Sequence, residues 1–381
     1  MSAGALGSEL LSEVKEERLD ELLHSLRALN APEDQYSFGI PALDDLISIF
    51  HPSKPTRQIV QQHPKTWAPN PHHNPPAPKP PPELRLPVIE LAGATACSGK
   101  TQLLYHITAT TLLPTHHPRS NIPIPNTEAA VLLFDLSSTF SILRLHDTMH
   151  ACVAASHRQA GTPLQDPLAL ITTALQHLHI YRPHSLPSLL SALSAAEPYL
   201  LSTPRAHLSS ARPLGLIALS NLTAFFWPAR LEAEELALDT DPTSTSQTHF
   251  LTQHRALVTS LRALQHTFSC PILATTNTLS PPVPIPEGIK LRPHMPPAWT
   301  NFVTVKLVLQ REMVPKFRPE ISAEEAEKER GMRGEAVRKK GWRVGVDWWG
   351  AERWRESERE GVRGWRGLRF WVGGEGVSFG N

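Results

Sequence analysis

Between Val88 and Gln310 the chain alternates short, almost unbroken apolar runs with longer stretches of helical periodicity. The runs are VIEL (88–91), AVLLFD (130–135), LHIY (178–181), LGLIALS (214–220), PILATT (271–276) and FVTVKLVLQ (302–310). An apolar run without polar alternation has no face to offer water, so each must be covered on both sides. The intervening stretches 100–112, 140–157, 166–177, 186–201 and 246–267 have the length and spacing to form helical covers. Strands separated by helices pair in parallel, because a parallel neighbour is reached by a crossover and not by a tight turn. The expected fold class is therefore α/β, a central mostly parallel sheet with helices on both faces.

The flanks read differently. Residues 8–29 place Leu19, Leu22, Leu23, Leu26 and Leu29 at helical spacing, with Ser8 or Ser12 as cap. They predict an amphipathic helix, which packs on its own domain more readily than on a partner. After SFGIPALDDLISIF (37–50), ten prolines fall between His63 and Val88. Such a density withholds the backbone donors a ladder or helix needs and predicts an extended surface insertion. The resulting division is an N-terminal helical segment (1–50), a proline-rich insert (51–87), the core (88–310), a charged and partly helical insertion (311–366) and a closing hairpin (367–381) turning at Gly373 and Gly374.

Bulk properties exclude several classes. With 381 residues and 40% hydrophobic content the chain can bury a sizeable core. A net charge of +1 supplies no global attraction to polyanions, so contact with nucleic acid needs a local patch or a partner. Cys97, Cys152 and Cys270 are odd in number and far apart, which argues against a disulfide framework and for a reducing compartment, nucleus or cytosol. No apolar run reaches the roughly 18 residues of a membrane span, and the first residues are acidic where a secretory signal is basic, then apolar.

The chemistry concentrates in LAGATACSGKTQLL, which follows the first apolar run and opens a helix. A phosphate-binding loop needs several backbone amides and a helix N-terminus converging on phosphate oxygens, a lysine beside them and a hydroxyl for magnesium. Ser98, Gly99, Lys100 and Thr101 supply that half. The leading glycine is displaced: Ala94 stands six before Lys100, with Gly93 one step further out. A loop longer by one residue, led by Gly93, is favoured, because glycine accepts a positive φ that alanine resists. The candidate nucleotide-binding residues are Gly93, Ala94, Thr95, Ala96, Cys97, Ser98, Gly99, Lys100, Thr101 and Gln102.

GIPALDDLI, VIELAG with SGKTQLLYHITATTLLP, VLLFDLSSTFSILRL, LHIYRP, LIALSNLTAFFW, ILATTN, PPAWTNFVTVKLVL and FWVGGEGVSF occur in that order along the chain. In this order they resemble the RecA-type recombinases of eukaryotes, and within them the small paralogues that lack a preceding helix-hairpin-helix domain. The resemblance implies a RecA-like P-loop core with ATP and magnesium as cofactors, Thr101 and, more loosely, Asp135 as metal ligands. It also places Ser137 where the family carries a water-orienting glutamate and Ser220 where it carries a metal-holding aspartate, while Asn277 matches a polar sensor position. No catalytic residue is therefore assigned. Loss of a general base costs about 10² to 10⁴ in rate, so an ATP-binding subunit with weak or absent hydrolysis is expected.

The same resemblance implies a nuclear protein assisting homologous-recombination repair of double-strand breaks, paired with another recombinase paralogue. It would act on the strand-exchange recombinase and meet single-stranded or branched DNA through the complex, with no membrane. Two alternatives stay open at this point: an active DNA-dependent ATPase using Asp135 or a partner's carboxylate, and an interaction scaffold without nucleotide. Tryptophans 342, 348, 349, 354, 365 and 371 interleave with arginines, but nearby glutamates cancel much of the field, which favours packing or partner contact over DNA. Lys290 and Arg292 give the 278–300 loop little charge for DNA. The histidine pairs His72/His73 and His116/His117 lack the companions of a metal site.

Overall fold

A computed structural model describes residues 37–51, 86–93, 97–124, 126–164, 166–202, 207–239, 245–278, 290–291, 294–314, 320–373 and 376–380. The helix expected at 8–29 and most of the proline-rich insert lie outside the described residues.

The strands are β1 (Val88–Gly93), β2 (Ala130–Asp135), β3 (Leu178–Tyr181), β4 (Leu214–Ser220), β5 (Ile272–Asn277), β6 (Val305–Arg311), β7 (Trp342–Val346), β8 (Leu368–Gly373) and β9 (Gly376–Gly380). They form one nine-stranded sheet in the order β3-β2-β4-β5-β1-β6-β7-β8-β9. Strands β1 to β6 run parallel, and β7, β8 and β9 extend the sheet antiparallel. The chain therefore has a mixed α/β fold with a mostly parallel sheet. Every residue of β1 and β2 is buried, as two-sided covering demands.

The helices are α1 (Pro41–Phe50), α2 (Lys100–Leu112), α3 (Ile142–Gln159), α4 (Pro167–Leu175), α5 (Leu186–Leu200), α6 (Phe226–Asp239), α7 (Thr245–Phe268), α8 (Pro297–Phe302), α9 (Ala323–Lys340) and α10 (Glu356–Gly364). Two apolar clusters separate the layers. On one face Ile89, Leu91, Val131 and Leu133 meet Leu104, Ile107, Leu145 and Met149 of α2 and α3. On the other, Leu132, Phe134, Ile217 and Leu219 meet Leu189, Leu193, Leu261 and Leu264 of α5 and α7. Alternate residues of one strand thus enter opposite cores, which is the period-2 geometry of a strand acting between two helical layers. Among the described residues no helix is long and apolar enough to cross a membrane.

Three helices go beyond the sequence expectations. Pro297 and Pro41 each sit at the start of a short helix, α8 and α1, where a missing N–H costs nothing. The former delays β6 to Val305 and buries Trp299, whose indole donates to Glu90 Oε2 at 2.8 Å. In α6, Pro228 falls in the first turn, again the tolerated place.

The 311–366 segment is not a single solvated insertion. Only its first part fits that description: α9 is capped by a reciprocal Ser322–Glu325 pair, runs from acidic to basic along its dipole, and buries no residue. Trp342–Val346 instead form β7, with Val344 and Val346 turned into the core. Trp365 in turn donates to Ala42 O at 2.7 Å and fixes α10 beside α1. High average charge concealed one short strand with a single buried face. The closing hairpin is present, with Gly373 paired to Gly376 as part of the ladder; Gly374, the other residue of the expected turn, lies outside the described residues.

The layer assignment makes a stability contrast. Leu133→Ala, in the fully buried β2, should cost about 2–5 kcal/mol, whereas Met332→Ser, on the 70% exposed face of α9, should stay within about 0.5 kcal/mol. Urea unfolding of the two variants measures both; equal losses would contradict the layering.

Candidate phosphate-binding site

Strand β1 is flanked by β5 and β6. From its end the chain crosses to β2 on one side, whereas the β5-to-β6 connection crosses to the other. Crossovers leaving in opposite directions open a crevice at the carboxyl end of the strand. Gly93 and Cys97 to Lys100 flank that crevice; Ala94, Thr95 and Ala96 lie outside the described residues.

The described part of the loop converges on Lys100. A Cβ on Gly93 would overlap the Ser98 side chain and come within 2.9 Å of Lys100 Nζ. The positive φ expected of Gly93 is not found; what requires a glycine there is space. Positive φ occurs instead at Cys97 (61°) and Gly99 (92°). Gly99 is the N-cap of α2 and gives it no side-chain cap, so the first amides of α2 keep their donors for another acceptor. Lys100 Nζ donates to Ser98 Oγ at 2.9 Å. Burial pulls this ammonium down to about 8 from its ordinary value. A desolvated cation beside uncapped helical amides is arranged to receive an anion.

Aromatic residues from the far end of the chain hold the loop from outside. Trp342 Nε1 donates to Cys97 O at 2.8 Å. Its ring stacks on Phe370 with centroids 5.5 Å apart and planes 11° from parallel. A Cβ on Gly99 would meet Phe370 at 2.5 Å and Trp342 at 2.9 Å, so that glycine is required for contact as well as for dihedral angle. Arg311, ending β6, lies over the Trp342 ring with its guanidinium carbon 5.2 Å from the centroid. The sequence marked Trp342 as a packing residue without indicating that it packs on the loop.

Thr101 is exposed and Gln102 half-buried on the first turn of α2. With its amide oriented so that the oxygen faces Arg144, Gln102 accepts from the Arg144 guanidinium. Arg144 in turn lies over the Tyr105 ring at 5.4 Å.

Asp135 is brought to the same end of the sheet, where its side chain is buried. Its Oδ1 accepts from Thr139 N at 3.3 Å and its Oδ2 from Phe140 N at 2.9 Å. Arg182 Nε lies 3.6 Å from Oδ2. The carboxylate thus caps the turn after β2. Ser137 Oγ is bonded to Thr139 Oγ1 at 2.8 Å, and Ser220 is buried opposite Asp135 in the β2–β4 register. Asn277 pairs in register with Gly93 and directs its amide to Asn221 Oδ1 at 3.2 Å. Of the residues ending the six parallel strands, Gly93, Asp135, Tyr181, Ser220, Asn277 and Arg311, Asp135 alone is acidic. Thr101, on the first turn of α2, and Asp135, at the end of β2, are the residues that the expected magnesium would draw on.

Compared with protein-family models and with curated protein sequences, the chain matches none.

Lys100→Met should abolish anion binding and yet raise thermal stability, because it removes a desolvated charge. Its folded-state pKa of about 8 lies below the ordinary 10.5, so between these values the unfolded chain binds more protons and stability rises with pH. Thermal melts from pH 8 to 10 should show that rise in the native sequence and its loss in the variant; parallel profiles would place Lys100 in solvent.

Proposed function

We propose that this chain is an ATP-binding subunit with a RecA-like P-loop core, a paralogue of the eukaryotic strand-exchange recombinases. On this reading it assists homologous-recombination repair of double-strand breaks in the nucleus. The observation that carries the nucleotide part is the half-buried Lys100 ammonium at the uncapped start of α2, beside a glycine that admits no Cβ. The strand order supports the RecA-like part, with the loop strand β1 seated between two parallel neighbours at the point where crossovers diverge. Recombinase paralogy rests on the ordered sequence stretches.

Hydrolysis is expected to be weak or absent. Ser137 cannot serve as a general base at neutral pH, and Asp135 is committed to its turn and to Arg182. Nucleotide then acts as a structural ligand that stabilises the folded chain and its contact with another paralogue. That complex would support the strand-exchange recombinase on single-stranded or branched DNA. The partly exposed tryptophans belong to the fold: Trp342, Trp354 and Trp365 are engaged with Phe370, Phe50 and Ala42, which leaves DNA contact to the complex.

Equilibrium binding of a fluorescent ATP analogue tests the reading. Binding that Lys100→Ala removes, with ATP turnover no faster than in that variant, is the expected result; no binding, or turnover that depends on Lys100, would refute it. Affinity should be level below pH 8 and fall by up to about tenfold per unit above it, as the free-site ammonium deprotonates. A titration series across that range measures this.

A further inference from the structure

We propose that the outer face of the antiparallel extension, β7 to β9, binds single-stranded DNA through a flat indole, Trp371, flanked by arginines. The choice of DNA rests on the reading above, and the face would be this chain's own share of the DNA surface of the complex. Strand alternation and register define it. Arg369 and Trp371 of β8 are two residues apart and point the same way, opposite to the buried Leu368 and Phe370. Arg343 of β7 pairs with Arg369, and Ser378 of β9 pairs with Trp371. Glycine backbone lies against the indole at both ends: a Cβ on Gly341 would come within 2.7 Å of Nε1, and one on Gly380 within 2.6 Å of Cζ3. The ring therefore lies along the sheet, and its N–H donates to Lys339 O at 2.9 Å. Trp342, by contrast, has Phe370 stacked on it and Arg311 over its ring. Among the described residues no aromatic ring and no cation covers Trp371, which is partly exposed.

The charge beside the ring is positive. Arg343 and Arg369, 51% and 50% exposed, share one carboxylate, Glu312, at 3.5 Å and 3.2 Å, so the pair keeps one charge in excess. Glu312 is itself anchored to the support of the indole, its amide donating to Gly341 O at 3.1 Å. The last turn of α9 adds Arg338, Lys339 and Lys340, all exposed, at the N–H end of the ring. Among the described residues none of these three has a carboxylate partner. A base can stack on the open ring while guanidinium and ammonium groups take the flanking phosphates. A duplex keeps its bases stacked on one another, and an acidic peptide would use the cations but leave the ring unmatched, so the single strand fits both features.

The experiment titrates the full chain against labelled oligothymidylate by fluorescence anisotropy over a series of salt concentrations. Trp371→Ala should weaken binding about tenfold, the worth of one stacked base, while Trp371→Phe, which keeps a stacking ring, should lose about threefold or less. Arg343→Gln and Arg369→Gln should each weaken binding and flatten the dependence of log affinity on log salt by about 0.7, the share of one phosphate contact on a single strand. Lys100→Ala should bind DNA like the native chain, so that failure of the nucleotide reading, seen with the ATP analogue, stays separate from failure here. No binding at low salt, or unchanged affinity in Trp371→Ala, overturns the proposal. If that variant fails to fold by circular dichroism, the arginine variants decide, and unchanged affinity and slope in both overturn it. Tighter binding of duplex DNA, oligouridylate or polyglutamate to the same face would overturn it too, in favour of that occupant.

Discussion

Burial of β1 between β5 and β6 is the constraint on which the site depends. Both edges of β1 are hydrogen-bonded in parallel ladders, so its end is fixed to the ends of β5 and β6 in register: Gly93 opposite Asn277, and Ala92 opposite Val308. At the other end of the loop, α2 has every residue from Leu103 to Leu112 buried. Neither strand nor helix can shift without opening a packed core. Between them the Gly93 backbone leaves no room for a Cβ beside Ser98 and Lys100. A cation is held in a poorly hydrated position because the scaffold on each side is more stable than the charge is costly.

The antiparallel extension of the sheet completes this arrangement. β7 lies against β6, and its first residue, Trp342, stands at the same end as the loop. Stacking on Phe370 of β8 orients the indole so that its N–H reaches Cys97 O. Since α9 ends two residues before Trp342, and Trp371 donates to Lys339 O at 2.9 Å, the solvated helix is tied to the same aromatic pair. Chain that looks like an appendage in composition is thus mechanically continuous with the loop that opens α2. The charge pattern follows the same logic. Lys100 opens α2, while Arg144 of α3 and Arg311 of β6 lie over aromatic rings, Tyr105 and Trp342.

How legible all this was varies with the kind of interaction. β2, β3, β4 and α2 were readable to the residue, because short apolar runs mark covered strands and the SGKT turn marks where the helix begins. α1, α6 and α8 were not, since prolines near their starts look like breakers until the first turn is known to tolerate them. β7 was lost inside a segment whose average charge is high, although WRVGV alternates inward and outward faces. In the site, SGKT was legible as chemistry. The role of Asp135 as a turn cap was not, because its donors, Thr139 N and Phe140 N, are backbone amides that any sequence would carry.

Sequence alone determined the α/β class, the position of the loop at the end of the first core strand and the identities that replace acids with Ser137 and Ser220. Those are properties of periodicity and residue type, which are local. Tertiary structure decided that Gly93 is required by contact with Ser98 and Lys100, that Trp342 and Phe370 brace the loop, and that Arg144 and Arg311 lie over Tyr105 and Trp342. Each of these joins residues far apart along the chain, and only the pairing order of the sheet brings them within reach.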